Sequence, residues 1–149
     1  MRRFDSSGDL STVTGTVSGL PYSAFLNTTT GVFQDVNVRK AFFHSLDRVK
    51  MTSDLFFGYA EAAFGPISSS TPSYWSGNED YYPYNPEGAA ALLDEAGWKM
   101  GSDGVREKNG EKLTVFFPCL LEPDTCVAIQ GYANTVSYTH LTLPTILLV

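Results

Sequence analysis

Asp35, His44 and Asp47 fall close together in "DVNVRKAFFHSLDR". A histidine flanked by carboxylates is ordinary material for general acid–base catalysis. Blander roles account for each residue better. Asp35 precedes a periodic apolar run, where its side chain caps a helix. Asp47-Arg48 reads as a charged pair at the end of that helix, and His44 takes a polar, solvated position. Asp94 and Glu95 read as the wet face of a later helix. "DSSGD" near the start has two carboxylates but not the loop spacing of a calcium site. The sequence holds no glycine-rich phosphate loop, no G-x-S-x-G and no H-E-x-x-H. The expectation is a protein that is not an enzyme and has no cofactor.

Cys119 and Cys126 stand seven apart in "PCLLEPDTC". A zinc centre needs two more good ligands, and His44 and His140 are far away in sequence, so no metal site is expected. A disulfide and a pair of buried thiols both remain open. Asn27-Thr28-Thr29 fits the N-glycosylation pattern, which is common by chance.

The elements around these residues are short. "YSAFL", Tyr22 to Leu26, reads as a strand and "NTTTG" as the turn after it. From Asp35 a helix runs through Arg48, with Val38, Ala41, Phe42, Leu46 and Val49 near a 3.6-residue period. A second helix is expected over Lys50 to Phe57, stopped by Gly58. "FGPISSSTPSYWSGNEDYYPYNP" is a long loop rich in Pro, Ser and Tyr, of the kind that in compact domains is either functional or disordered. The best-punctuated stretch follows it, "YNPEGAAALLDEAGW". Asn85 caps, Pro86 suits the first turn, Glu87 faces the positive end, and Gly97 stops the helix. "VREKNGEKLTVFF" predicts a hairpin with Asn109-Gly110 at its tip and Leu113, Val115 and Phe117 alternating on one face. "DTCVAIQGYANTV" predicts another helix, capped by Asp124 or Thr125. Ala41, Phe42, Leu46, Leu92, Leu93, Ala96, Leu113 and Val115 are expected to share one core.

Composition limits what such a chain does. Of its 149 residues, 43% are hydrophobic and 17% charged, which is a globular balance. The net charge is −6 and the pI about 4.7, with no Lys/Arg stripe to neutralise phosphates, so no nucleic-acid partner is expected. Eight Tyr and ten Phe suit a core, and also a surface that stacks on or hydrogen-bonds a ligand. "MRRFDSSGD" lacks the apolar segment of a signal peptide, and no apolar run of membrane-spanning length occurs.

Taken in order, the motifs resemble the family 5 extracellular solute-binding proteins of ABC importers, the peptide/nickel-binding type. The resemblance runs from about Tyr22 to Ile129. It rests on "YSAFLN", on "DVNVRKAFFHSLDR" with its "VR-x-A" and later "DR", on "LFFGYAEAAFGP", on "YNPEGAAALLDEAGW", and on "GSDGVREKNGEKLT". Each piece alone is weak; together, in this order and spacing, they are specific. Asn85 stands where the family usually has Asp, and Gly88 where it usually has Lys.

The resemblance implies an α/β chain that is a fragment of a two-lobed periplasmic-binding-protein-like fold, the start of the second lobe, with short helices and a β-hairpin. It implies a poorly defined remnant before the inter-lobe crossing over 1–21 and a partial second-lobe domain over 22–135. Such proteins close two lobes around a solute and hand it to a permease. The implied role of the intact parent is therefore capture of oligopeptides or dipeptides outside the membrane, as an extracytoplasmic lipoprotein working as a monomer with ABC permease subunits. Nickel or another small solute, and a free-standing interaction module with a Tyr-rich binding loop, are the alternatives. Tyr22 and Asn27 match the family's strand start and strand-ending Asn, and are expected to border the cleft. Packing of Tyr22 and a turn-capping role for Asn27 compete with that. Tyr74 and Trp75 in the long loop are rim candidates, with core packing the competing role.

"VSYTHLTLPT", Val136 to Thr145, breaks the family pattern and matches the translation of a transposase-based sequencing adaptor. Residues 136–149 are accordingly expected to be a non-native read-through tail with no fitted groove on the scaffold, and Met1 an internal methionine or a contig edge.

Overall fold

The structure is a computed structural model and describes residues 21–115, 118 and 125–129. Its main elements are the helices α1 (Val36–His44), α2 (Arg48–Phe56) and α3 (Pro86–Glu95) and one small sheet of β1 (Lys99–Met100), β2 (Arg106–Lys108) and β3 (Glu111–Lys112). The sheet is antiparallel in the order β1-β2-β3. Short 3-10 turns at Val32–Gln34 and Ser76–Asn78 lie in the connections.

Both expected helices form, but the first, expected to run through Arg48, stops at His44 and the second starts at Arg48. Asp35 caps α1, accepting from the Asn37 amide, and α1 ends at His44. Ser45 turns the chain, its hydroxyl donating to Phe42 O at 2.8 Å. Asp47 then caps α2 by accepting from the Lys50 amide. Asp47 is thus the start of a new helix rather than a charge at the end of the old one, and α2 begins two residues earlier than expected, at Arg48. A Ser-x-Asp sequence offers the backbone local side-chain partners, which is why a helical period carried across it did not yield one helix. Phe57 and Gly58, both at positive φ, end α2.

α3 follows its punctuation closely. Asn85 Oδ1 accepts from Gly88 N at 2.9 Å. At the other end Trp98 N donates to Leu93 O and Gly97 N to Asp94 O, at 2.9 and 3.1 Å. That is the paired bond pattern of a Schellman stop, and Gly97 supplies its left-handed residue at φ 87°. Lys108 Nζ adds a bond to the Ala96 carbonyl, where a cation suits the helix's negative end.

The core lies between α1 and α3, closed by the sheet side. Val38, Ala41, Phe42, Ala89, Leu93, Ala96, Trp98 and Leu113 form it, with Leu46 and Leu92 packed partly buried against it. The expected core is largely this one. Val115 is also buried, but outside the cluster, and Val38, Ala89 and Trp98 were not in the expected core. Thr114 is exposed between buried Leu113 and Val115, as alternation requires.

Asn109 and Gly110 sit at φ 54° and 81° at the tip of the β2–β3 hairpin. The reach of the sheet to β1 was not foreseen. By contrast, Tyr22 to Leu26 is not a strand. A strand needs a hydrogen-bonding neighbour, and among the described residues the one sheet is built from 99–112. Residues 125–129 are helical. Phe117, Cys119 and Asp124, with segments 1–20 and 136–149, lie outside the described residues.

Candidate solute-facing surface

The long connection from Gly58 to Tyr84 is fastened to the helices at both ends. At its far end, Tyr82 stacks on Phe43 at 5.3 Å and meets the edge of His44 at 5.5 Å. His44 Nδ1 lies 2.8 Å from Pro83 O, and Asn85 N donates to His44 O at 2.9 Å. His44 is therefore half-buried and bonded, a correction to the solvated position expected for it; its partner lies 39 residues away, beyond any local pattern. Arg48 Nη2 donates to Tyr82 O at 2.6 Å, and its guanidinium sits 4.5 Å over the Phe64 ring. Partial burial lowers the Arg48 pKa from its ordinary value. Asp35, His44 and Asp47 thus serve as cap, loop tie and cap, and not as an acid–base cluster.

Between these fastenings the loop carries Tyr74 and Trp75. Tyr74 donates its hydroxyl to Glu79 at 2.8 Å, and that bond, with the nearby carboxylates, raises its pKa. Trp75 is 62% exposed, not packed into the core. Its indole lies against Gly77, where an added Cβ would stand 2.3 Å from the ring. Tyr81 and Tyr84 are exposed as well.

At the other predicted position, Tyr22 is 73% exposed. Asn27 is occupied by its own turn: Oδ1 accepts from Thr29 N and Thr29 Oγ1, and Nδ2 donates to Thr30 Oγ1. That is an Asx-type turn, built by the residue types in "NTTTG". A hollow of about 240 Å³ opens between the 31–35 turn and the hairpin tip, with Trp98 and Lys108 on its wall; none of Tyr22, Asn27, Tyr74 and Trp75 lines it.

The far side of α3 holds a polar feature that the sequence concealed. Asp94, expected on a wet face, accepts from Arg106 Nη1 at 2.7 Å. Cys126 is buried and disulfide-bonded, which decides between the two states left open for it. Among the described residues no three His, Cys, Asp or Glu group as a metal site, and no helix is long and apolar enough to cross a membrane.

Comparison with known proteins places this architecture. The profile of the bacterial extracellular solute-binding proteins, family 5 (middle region), matches residues 4–134. An oligopeptide-binding protein of Bacillus subtilis is 35% identical over 88 residues, which is 56% of this chain and 16% of that protein. A nickel-binding periplasmic protein of Escherichia coli is 30% identical over 92 residues, 60% of this chain and 17% of that one. The solved structure of the Bacillus subtilis oligopeptide-binding protein with a nonapeptide superposes with a TM-score of 0.73 at 25% identity, covering 89% of this chain and 27% of that one. The matched sequence thus spans about a sixth of these relatives, the superposed structure about a quarter, and the chain has the α/β fold of a part of the two-lobed binding proteins. With its profile matched over most of its length, the chain belongs to the bacterial extracellular solute-binding proteins of family 5.

Proposed function

We propose that this chain is one piece of the substrate-binding component of an ABC importer, a protein that captures oligopeptides outside the membrane and delivers them to a permease. The observation that carries the reading is the likeness to the peptide-bound Bacillus subtilis protein, found both in sequence and in fold. The disulfide at Cys126 fits an extracytoplasmic, oxidising location. The relatives are binding proteins, and the polar residues described above cap, tie and brace, so the role proposed is binding without catalysis.

In this reading Tyr22, Asn27, Tyr74 and Trp75 border the cleft. Tyr22 and Trp75 offer open aromatic faces to a peptide, while Asn27 and Tyr74 shape the loops that hold them. A residue 1–21 approach to the crossing, a 22–135 partial second lobe and a foreign 136–149 tail complete the proposal. A nickel complex is the second reading, supported by the Escherichia coli relative. Calorimetry on the protein encoded by the intact locus distinguishes them. Saturable binding from a di- to pentapeptide library, with permease and ATPase genes beside the locus, supports the first reading. Heat from a nickel chelate and none from peptides replaces it with the second.

A further inference from the structure

We propose that Arg48 is the positioning residue of the Trp75 loop, a single side chain that fastens both ends of that loop and so sets the aromatic rim in place. Its importance for capture rests on the reading that Trp75 borders the solute. The geometry stands apart from that reading. Phe64 and Tyr82 flank Trp75 on either side in sequence, and the Arg48 guanidinium touches both: its face lies over the Phe64 ring at 4.5 Å, and Nη2 bonds Tyr82 O at 2.6 Å.

Two properties of a guanidinium are used at once. Its flat face attracts a ring, and its fork donates in the plane of that face. An ammonium supplies one point of charge and cannot hold both partners in the same orientation. Arg48 is the first residue of α2, directly behind the Asp47 cap. Partial desolvation, evident in its lowered pKa, strengthens both contacts. The two limbs of the loop also meet independently: a Cβ on Gly65 would stand 3.0 Å from Asn78 Nδ2. Tyr82 is held a second time by its stack on Phe43, whereas Phe64 has Arg48 as its described partner. Loss of Arg48 therefore frees the limb that enters from Phe64 and leaves the Tyr82 limb on α1.

The test uses the 149-residue chain, labelled with fluorotryptophan, and needs no solute. Trp75 reports the loop and Trp98, 7% exposed, reports the core. In Arg48→Gln the Trp75 resonance should shift and broaden while the Trp98 resonance stays. Initial chymotryptic cleavage between residues 64 and 82 should rise by about thirtyfold, as expected for a lost charged hydrogen bond together with a lost ring contact. Arg48→Lys should restore only part of the protection. Phe64→Leu keeps the Tyr82 bond and removes the ring, and should raise cleavage several-fold with Trp98 unmoved. That variant decides the matter if Arg48→Gln fails to fold. Cleavage within about twofold of the parent chain in Phe64→Leu, or full protection in Arg48→Lys, overturns the proposal. Because no readout involves a solute, such a result leaves the peptide reading standing, and absence of peptide binding leaves the fastening standing.

Discussion

Arg106 and Asp94 join the hairpin to α3 through an ion pair of unequal partners: the Arg106 side chain is 5% exposed and the Asp94 side chain 47%. Nη1 of Arg106 reaches Asp94 Oδ1 at 2.7 Å and Trp98 O at 2.6 Å, while its Nε is buried without a partner. Asparagine at position 94 keeps an acceptor oxygen but removes the charge, and leaves the buried cation with neutral partners only. Asp94→Asn should destabilise the chain by about 1–2 kcal/mol, less than for a fully buried pair because Asp94 is half in water. Urea denaturation followed by Trp98 fluorescence checks this; no change in midpoint would show the pair to be ornamental.

The same pair predicts a pH dependence. The Arg106 bond holds the Asp94 carboxyl below its ordinary 3.8. The folded state keeps it ionised to lower pH than the unfolded state does. The stabilisation is therefore fully present above the unfolded value and drains away as pH falls from 3.8 through the folded value. Asp103 is likewise held low, by its bond from Lys112, and acts in the same direction. Stability measured from pH 6 down to pH 2 should fall less steeply in Asp94→Asn than in the parent chain; parallel curves would contradict the assignment.

Gly88→Ala should gain little. Helix propensity alone favours Ala by about 1 kcal/mol. Yet an Ala Cβ would stand 2.4 Å from Nδ2 of Asn85, the capping side chain. Displacing that cap costs about 1 kcal/mol, so the two effects nearly cancel. Thermal melts should show a shift near zero. A clear gain would mean that Asn85 swings aside and still caps.

Gly110→Ala isolates backbone strain. Gly110 sits at φ 81° with nothing near its would-be Cβ, so the cost is conformational: about 1–2 kcal/mol. Asn109→Gly should be nearly neutral at the neighbouring position. Equal losses in both variants would argue against the turn.

Local signals were the legible part of this fold. The caps at Asp35 and Asn85, the stop at Gly97 and the tip at Asn109-Gly110 are each set by neighbouring residue types, and each stands where expected. Periodicity likewise located Phe42, Leu93 and Leu113 in one core. What failed was non-local. The Tyr22 to Leu26 stretch has the residues of a strand and no described neighbour to pair with. Asp94 does lie on an exposed face, but its bond from Arg106, twelve residues later on another element, carried no local signal. Ser45 and Asp47 broke a helix that apolar spacing alone would have continued. The candidate surface was legible only as residue types: the tie from Arg48 to Tyr82 spans 34 residues and carries no sequence pattern.

In the proposed reading this chain is one part of a solute-binding protein, and capture needs the rest of that protein. Cleft binding buries the solute from two sides, so that its backbone groups are desolvated and bonded together. In that reading a chain matching a sixth to a quarter of its relatives offers one wall at most, and the association cost of several kcal/mol is not offset. Calorimetry of the purified 149-residue chain with a mixed di- to pentapeptide library tests this directly. No saturable heat is expected at micromolar peptide. Micromolar or tighter binding to a folded monomer would contradict that reading and identify the segment as a complete binding module.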